Sequence, residues 1–376
     1  MRGQLCASII VLGLTGQGWS AESESLSAGI DAVFAEYNSP TTPGCAVGVI
    51  QNGAYIHAKG YGLANLEHGI PIDRDSVFRI ASVSKQFTAA AVAILAVRGE
   101  LDLDADIHDY LPELRDYGTK VTIRQMVHHI SGMGEYDSEA AYEITPGKAF
   151  RFGNEDYWTI DEFYQKAKLQ DLALKPGERF EYSNIAYFLL SQVVERATGV
   201  SLREFAEKEI FGPLNMKATL FNDNADGVVP NRADGYTPMS GGGFEILMTN
   251  LDWVGDGGVY TTLNDFIKWD RAFASGIVPG GDGVRNLMLT PHPVTESTMT
   301  SYLLDDGAGY GFGVEIGKFN DQTAHVHTGS WVGFRSLYAR FPDDGISIVA
   351  FCNREDVVEG GDKRKELLDF VTSELL

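Results

Sequence analysis

Cysteine is scarce in this 376-residue chain, which contains only Cys6, Cys45 and Cys352. No cysteines and histidines share the spacing of a zinc site, and the adjacent pair His128-His129 would point about 100° apart on a helix. We therefore predict no metal site. Whether the last two cysteines are paired or free is left open by the sequence.

Positive charge is also scarce, because 30 Lys and Arg face 52 Asp and Glu, for a net charge of -22. This balance argues against nucleic acid or anionic membrane surfaces as partners. No segment approaches the ~20 apolar residues of a membrane span, so we predict no stable membrane insertion. Hydrophobic residues make up 44% of the chain, enough for a sizeable core in one two-lobed domain or two domains.

The N-terminus has the pattern of an export signal. Arg2 is its basic end, Leu5–Leu14 its apolar run, and Gly18-Trp19-Ser20 a small-x-small cleavage site. The apolar run is too short to span a bilayer. We therefore expect residues 1–20 to be a signal peptide and residues 21–376 to be exported, either periplasmic or secreted.

A hydroxyl and an amine are predicted to be neighbours within Phe78–Gly99, FRIASVSKQFTAAAVAILAVRG. From Val83 onward the composition predicts a helix of about four turns, and apolar residues all round it predict burial. Ser82 and Lys85 are three residues apart and share a face of its first turn. A buried lysine has a lowered pKa and can accept a proton, which would make Ser82 a nucleophile beside its base. The alternative is a serine N-cap followed by a lysine that reaches solvent.

The order of patterns along the chain predicts the architecture. Residues 21–100 contain a helix and a hairpin around Asn52-Gly53, residues 101–254 are mostly helical, and residues 255–376 alternate like sheet before a last helix. The predicted fold class is α/β (α+β), an antiparallel β-sheet flanked by helices with an inserted, mostly helical subdomain. The predicted helices are 24–38, Val121–Ile130, Ile160–Ala167, Ser183–Ala197, Leu202–Ile210, Asn264–Ala274 and Lys363–Leu375, and the predicted strands are Cys45–Gln51, Ala54–Tyr61, Tyr310–Ile316, Thr323–His327, Val332–Phe341 and Ile346–Asn353.

Two further short motifs stand near element ends. Tyr182-Ser183-Asn184 begins a helix, where its side chains could simply pack and cap. His327-Thr328-Gly329 ends a strand, and its glycine lets another backbone or a ligand approach closely. Taken alone, each has an ordinary structural explanation.

Together and in this order, Ser-x-x-Lys, Tyr-x-Asn and x-Thr-Gly resemble the serine β-lactamase and penicillin-binding-protein superfamily. The second motif points to its class C β-lactamase-like branch, with its esterases, D-aminopeptidases and DD-peptidases. The stretches HHISGM, KPGERFEYSNIAYFLLSQVVERATG and GGVYTTLNDFIKW are similar to that branch too. The likeness runs from about Leu26 to the C-terminus, and it implies a β-lactamase/transpeptidase-like fold in a single catalytic domain over residues 21–376.

The resemblance also implies roles for the motif residues. Ser82 would be the acylated nucleophile and Lys85 its hydrogen-bonded partner. Tyr182 would be a general base or proton shuttle, ionising more easily if it faces a lysine ammonium; which of the two is the base stays open. Asn184 would hold Lys85 or the substrate amide. The backbone N–H groups of Ser82 and Ser330 would form the oxyanion hole.

The third motif departs from the usual pattern of the superfamily. His327, Thr328 and Gly329 would help to bind substrate, but β-lactamases and DD-peptidases usually have lysine at the first of these positions. A charged lysine suits the carboxylate of a β-lactam or a peptide C-terminus, whereas histidine is mostly neutral near pH 7. We therefore expect hydrolysis of an ester or of a peptide or amide bond, D-amino-acid substrates included, ahead of β-lactamase or DD-carboxypeptidase activity.

The leading hypothesis is an exported, cofactor-independent serine hydrolase that forms an acyl-enzyme with a small-molecule or short-peptide substrate. Acyl transfer to another nucleophile would use the same residues. The rival hypothesis is a non-catalytic ligand-binding or sensor protein on the same scaffold. The presence of the serine, lysine, tyrosine and asparagine together favours the enzyme. The oligomeric state is not indicated.

Two smaller expectations complete the sequence analysis. If the sheet order is that of the resembled fold, Cys45 and Cys352 approach each other, and a disulfide between them is left open. The irregular region 131–157 is a candidate site wall because of its length. Its aromatic residues are Tyr136, Tyr142, Phe150 and Phe152.

Overall fold

The computed structural model describes residues 21–136, 157–355 and 361–376, and a seven-stranded antiparallel sheet lies at its centre. The early hairpin adds to one edge of the late strands, so both ends of the chain build one sheet, as predicted. In spatial order the strands are Gly309–Tyr310, Glu315–Phe319, Gln322–Trp331, Phe334–Phe341, Ile346–Cys352, Cys45–Gln51 and Ala54–Tyr61.

The hairpin is fixed by its turn and by a covalent bond. Asn52 and Gly53 have φ angles of 51° and 75°, the left-handed values that an Asn-Gly turn of this kind requires. Cys45 lies opposite Cys352 on the neighbouring strand, and the two form a disulfide bond. The pairing that the sequence left open is therefore present.

The predicted strand Tyr310–Ile316 is wrong. The structure has two short strands, Gly309–Tyr310 and Glu315–Phe319, joined by a tight turn. Gly313 in this turn has a φ of 75°, and a Cβ at that position would lie 2.5 Å from the backbone N of Gln86. The turn thus packs directly on the helix that follows Ser82, a contact that no local pattern signals.

Helices cover both faces of the sheet. As a result, every residue of the strand Ile346–Cys352 is buried. The helices Ala21–Val33 and Lys363–Leu375 pack on each other and on the sheet. The helix Leu263–Ser275 packs on the strand Cys45–Gln51. The sheet is therefore a buried middle layer, because a sheet with two apolar faces must be covered by helices on both sides.

The central helix is buried as predicted. It begins with a single 3₁₀ turn over Ala81–Ser84 and continues as an α-helix over Lys85–Val97, in which the side chains as far as Leu95 are buried. Gly99, with a φ of 71°, follows its end. The helix packs against the helices Asn184–Thr198 and Asp282–Met288, so its first turn lies deep in the domain.

The boundaries of several other elements differ from the predicted ones. Val121–Ile130 shrinks to Ile123–Val127, because Thr122 caps its start and His129, with a φ of 56°, leaves the helical conformation. No helix in the described ranges is long and apolar enough to cross a membrane. The remaining helices are Ile160–Ala167, Leu202–Ala206 with a π-helical turn over Glu207–Phe211, Pro293–Thr298 and a 3₁₀ turn over Ile107–Asp109, and the short strands are Leu63–Asn65, Ile70–Pro71, Phe78–Arg79, Leu220–Phe221, Tyr236–Pro238, Phe244–Ile246 and Val259–Thr261.

Candidate active site

Ser82 lies in the turn that leads into the central helix. The preceding residue, Ala81, has a φ of 46°, an unusual left-handed value for a residue with a side chain. Ser336 Oγ donates a hydrogen bond of 2.7 Å to the carbonyl of Ile80, which ties this turn to the sheet. The N-caps of the two helical segments are Ile80 and Ser84, so Ser82 is not a cap. Its half-buried hydroxyl is therefore left for other contacts.

Lys85 is fully buried and ends beside Ser82. Its Nζ lies 3.1 Å from Ser82 Oγ, 2.6 Å from Asn184 Oδ1 and 2.5 Å from the carbonyl oxygen of Asp256. Three oxygen acceptors match the three N–H donors of an ammonium group. The structure thus brings together the serine, the lysine and the asparagine of the first two motifs.

Burial lowers the pKa of Lys85 to about 8, because a charged amine is costly away from water. The carboxylates of Asp256 and Glu135 oppose this shift, and the nearby Arg79 adds to it. A neutral amine has a lone pair, so it can accept a hydroxyl proton while it still donates to two oxygens. Lys85 is therefore equipped to act as a base on the neighbouring serine.

The Tyr182 ring covers the amine, with Lys85 Nζ 4.8 Å from the ring centroid. The ring also stacks on His129, at a centroid distance of 4.3 Å. Burial raises the pKa of Tyr182 well above its usual value, although a hydrogen bond with Ser82 opposes the shift. Tyr182 is therefore a neutral phenol near pH 7, and the expected easing of its ionisation by the lysine is not found.

Glu135 holds Asn184 by two hydrogen bonds. The backbone N–H of Asn184 donates to Oε1 and its side-chain Nδ2 donates to Oε2, each at 2.9 Å. Ser183 caps the same helix by accepting from the N–H of Ala186. The helix start that carries the second motif is thus anchored to Glu135, a residue that the sequence analysis missed.

The third motif lies on a partly unpaired strand edge. The strand Gln322–Trp331 pairs along one edge with Phe334–Phe341 as far as its last residue. Along the other edge it pairs with Glu315–Phe319 only as far as Val326. Within the described sheet, the backbone of residues 327–331 is therefore free of strand pairing on that second side.

Gly329 lets this strand approach the nucleophile turn. A Cβ at Gly329 would lie 2.5 Å from the carbonyl oxygen of Ile80 and 3.0 Å from Ala81 Cβ. Real side chains do not tolerate such contacts, so only glycine fits. The next residue, Ser330, is exposed. The strand backbone is therefore held against the turn that carries Ser82.

The Beta-lactamase family model matches residues 30–372, which is most of the chain. The chain belongs to the beta-lactamase family.

Relatives of known name include peptidases and an esterase. A D-aminopeptidase from Gluconobacter oxydans is 28% identical over 333 residues, covering 88% of this chain and 59% of the relative. Esterase EstB from Burkholderia gladioli is 34% identical over 207 residues, covering 53% of this chain and 52% of the esterase. The chain thus spans less than two thirds of the length of either relative.

Solved structures share the fold of this family member. The octameric penicillin-binding protein homologue from Pyrococcus abyssi has a TM-score of 0.76 and 25% identity, covering 93% of this chain and 76% of that one. D-amino acid amidase from Ochrobactrum anthropi has a TM-score of 0.74 and 20% identity, covering 93% and 98%. The predicted β-lactamase/transpeptidase-like fold is therefore confirmed.

His327, the first residue of the third motif, is buried, and both of its ring nitrogens are hydrogen-bonded. Its Nδ1 donates to the carbonyl of Thr328 at 2.6 Å, so Nε2 accepts from the Tyr310 hydroxyl at 2.9 Å. Burial and the nearby Lys85 lower the pKa of His327 to about 3. The imidazole is therefore neutral, in agreement with the sequence expectation. The Thr328 side chain is half-buried beside it.

A second layer of polar and charged side chains lies around Lys85. The Tyr136 hydroxyl donates to Asp256 Oδ2, and the Asp256 carbonyl accepts from Lys85. The guanidinium of Arg79 is buried and lies 4.8 Å from the Trp331 ring centroid. Tyr136, from the predicted site wall, thus belongs to this layer, whereas Tyr142, Phe150 and Phe152 lie outside the described residues.

His129 is another site residue that the sequence analysis missed as such. Its Nδ1 accepts from the backbone N–H of Ser183 at 3.0 Å, and burial lowers its pKa well below the usual value. The imidazole is therefore neutral and buttresses the second motif. The only sequence signal was its place in HHISGM, which the resemblance included without assigning a role.

Proposed function

We propose that this protein is a serine hydrolase that works through an acyl-enzyme on Ser82, with Lys85 as the general base. The observation that carries the proposal is the 3.1 Å contact between a fully buried amine and the serine hydroxyl. Neutral Lys85 takes the hydroxyl proton while Oγ attacks the substrate carbonyl. The same proton then passes to the leaving group, and water repeats the sequence to release the acid.

Backbone groups would stabilise the negative oxygen that develops on the substrate. We assign this role to the N–H groups of Ser82 and Ser330, because the Gly329 strand is held against the nucleophile turn. One fixed donor of this kind contributes about 3 kcal/mol to transition-state stabilisation. Tyr182, as a neutral phenol hydrogen-bonded to Ser82, would relay the proton to the leaving group.

We propose an ester or a peptide or amide bond as the substrate, D-amino-acid compounds included. The names of the relatives, D-aminopeptidase and esterase, support this class. The neutral and buried His327 also supports it, because a substrate carboxylate would find no cation at that position. β-Lactams and peptides with a free C-terminus therefore rank lower, and nucleic acid is not an expected partner.

We also propose that the protein is exported. The disulfide between Cys45 and Cys352 supports an oxidising compartment, because such bonds are rare in reducing cytosol. The predicted signal peptide, residues 1–20, lies outside the described residues. Detection of the protein in a periplasmic or culture fraction, against a cytosolic marker, would test this.

Replacement of the nucleophile tests the catalytic proposal. Ser82→Ala removes one oxygen from a half-buried position, so we expect an unchanged melting temperature and loss of turnover by at least about 10³-fold. Initial rates would be measured on p-nitrophenyl esters, D-amino-acid p-nitroanilides and a chromogenic β-lactam. The rival, a ligand-binding protein, predicts no turnover of any of these by the wild type. Full activity of the folded variant would exclude Ser82 as the nucleophile.

A further inference from the structure

Glu135 has a half-buried carboxylate that contacts the site but has no part in the proposed reaction. Its only hydrogen bonds among the described residues come from Asn184, through the backbone N–H and through Nδ2. Asn184 in turn presents Oδ1 to Lys85 Nζ at 2.6 Å. One amide group therefore connects the carboxylate to the amine.

This arrangement determines which way the Asn184 amide points. With Oδ1 and Nδ2 exchanged, an amide oxygen would face Glu135 Oε2 and an NH₂ group would face the amine of Lys85. Both contacts would be repulsive, since acceptor would meet acceptor and donor would meet donor. Burial raises the pKa of Glu135 to about 7. Once Glu135 is ionised, both of its oxygens can only accept hydrogen bonds, so it selects the orientation in which an oxygen faces Lys85.

At pH values above about 7, where it is ionised, Glu135 also places negative charge near the base. Lys85 lies among two carboxylates, one guanidinium and several neutral rings. Each carboxylate therefore contributes a large part of the charge that acts on the amine. Removing the Glu135 charge would favour the neutral amine. The groups facing Lys85 are the carboxylates of Asp256 and Glu135, the cation of Arg79, and the uncharged side chains of His129, Tyr182, Tyr187 and His327.

We propose that Glu135 is a positioning residue: through Asn184 it fixes an oxygen on Lys85, and its charge sets how readily Lys85 gives up its proton. This rests on the proposed function, in which Lys85 is the base. It adds a residue, and a control of the pH range of activity, that the three motifs do not contain. Glu135 itself takes no part in the proton transfer.

A purely structural role would predict something different. Glu135 lies at the N-terminus of the helix Asn184–Thr198, where a carboxylate stabilises the helix in any case. Loss of that contact alone would lower stability and the amount of active protein at every pH. It would leave the pH at which the base titrates unchanged. The two roles are therefore distinguished by the acid limb of the pH–rate profile, which is the pH range in which the rate falls as Lys85 becomes protonated.

The experiment measures the rate of fluorophosphonate labelling of Ser82, and kcat/KM for a p-nitrophenyl ester, between pH 5 and pH 10. For Glu135→Gln we expect the acid limb to move to lower pH by about one unit and the maximum to fall about 100-fold. Glu195→Gln, at an exposed position of the same helix, removes the same charge and should match wild type.

Two more variants make the result decisive. Glu135→Asp keeps the charge, so its acid limb should stay at the wild-type position while the rate falls. If Glu135→Gln does not fold, Glu135→Ala, which also removes the charge, takes its place with the same expected shift of the limb. Asn184→Ala breaks the connection, so adding Glu135→Gln to it should cost less than Glu135→Gln alone. An unmoved limb in folded Glu135→Gln, or full additivity with Asn184→Ala, overturns the proposal. A wild type that neither labels at Ser82 nor turns over ester instead refutes the proposed function, and the role of Glu135 falls with it.

Discussion

Adding one methyl group at Gly329 should separate the two backbone groups, at Ser82 and Ser330, that form the proposed oxyanion hole. The new Cβ would lie 2.5 Å from the carbonyl oxygen of Ile80, 3.0 Å from Ala81 Cβ, and closer still to Ser336 Oγ. Two of these three neighbours belong to the turn that carries Ser82. Because Gly329 does not have a left-handed φ, the penalty of Gly329→Ala is steric and not conformational.

The size of the effect follows from the required displacement. A normal contact of at least about 3.4 Å needs a movement of nearly 1 Å between the strand and the turn, and such a misplacement costs about 100-fold in rate. Overpacking of this kind costs about 1–3 kcal/mol in stability. We therefore expect kcat for an ester to fall about 100-fold, with KM less affected, while the variant still folds.

The assay compares Gly329→Ala with Gly241→Ala, a matched change at a position where a Cβ would meet nothing within 4 Å. The control should keep wild-type kinetics and stability. Ser336→Ala should not rescue Gly329→Ala, because the Ile80 carbonyl still blocks the new Cβ. Wild-type kcat in Gly329→Ala, or full rescue by Ser336→Ala, would refute the close approach on which the assignment of Ser330 rests.

Two other predictions concern the covalent link and the base. The double variant Cys45→Ala/Cys352→Ala removes the disulfide bond between residues that are 307 positions apart. We expect the free energy of unfolding, measured in guanidinium chloride, to fall by about 2–5 kcal/mol. Equal stability would contradict this. The lowered pKa of Lys85, about 8, means that the neutral base is lost as pH falls. For wild type, kcat/KM for an uncharged ester should therefore drop tenfold per unit well below that pH, and a flat profile from pH 5 to pH 8 would exclude Lys85 as the base.

Elements defined by local signals were predicted well. Cys45–Gln51 and Ala54–Tyr61 have the predicted bounds because Asn-Gly fixes both the turn and the register. Ile160–Ala167 also matches, since Thr159 and Glu162 form a capping box at its start. Lys363–Leu375 begins after Asp362, another good cap. Each of these boundaries depends on residues within one turn of it.

Features that depend on distant contacts were not predictable in this way. The break in Tyr310–Ile316 follows from packing on Gln86, more than two hundred residues earlier in the chain. The contact of Glu135 with Asn184 spans 49 residues and has no periodic signature. Asp256 reaches the site through its backbone carbonyl, which its residue type does not reveal. The motifs located Ser82, Lys85 and Asn184, which lie together in the structure, but not the residues that hold them.

The central claim is that Ser82 is the acylated nucleophile, and covalent labelling tests it most directly. Folded protein would be incubated with a fluorophosphonate probe at pH 8, digested, and mapped by mass spectrometry, with Ser84 as an internal comparison because its hydroxyl is buried and accepts from the Val259 N–H. We predict one adduct per chain, located on Ser82, and none in Ser82→Ala. An adduct on another serine, or no adduct on a folded and active wild type, would contradict the account.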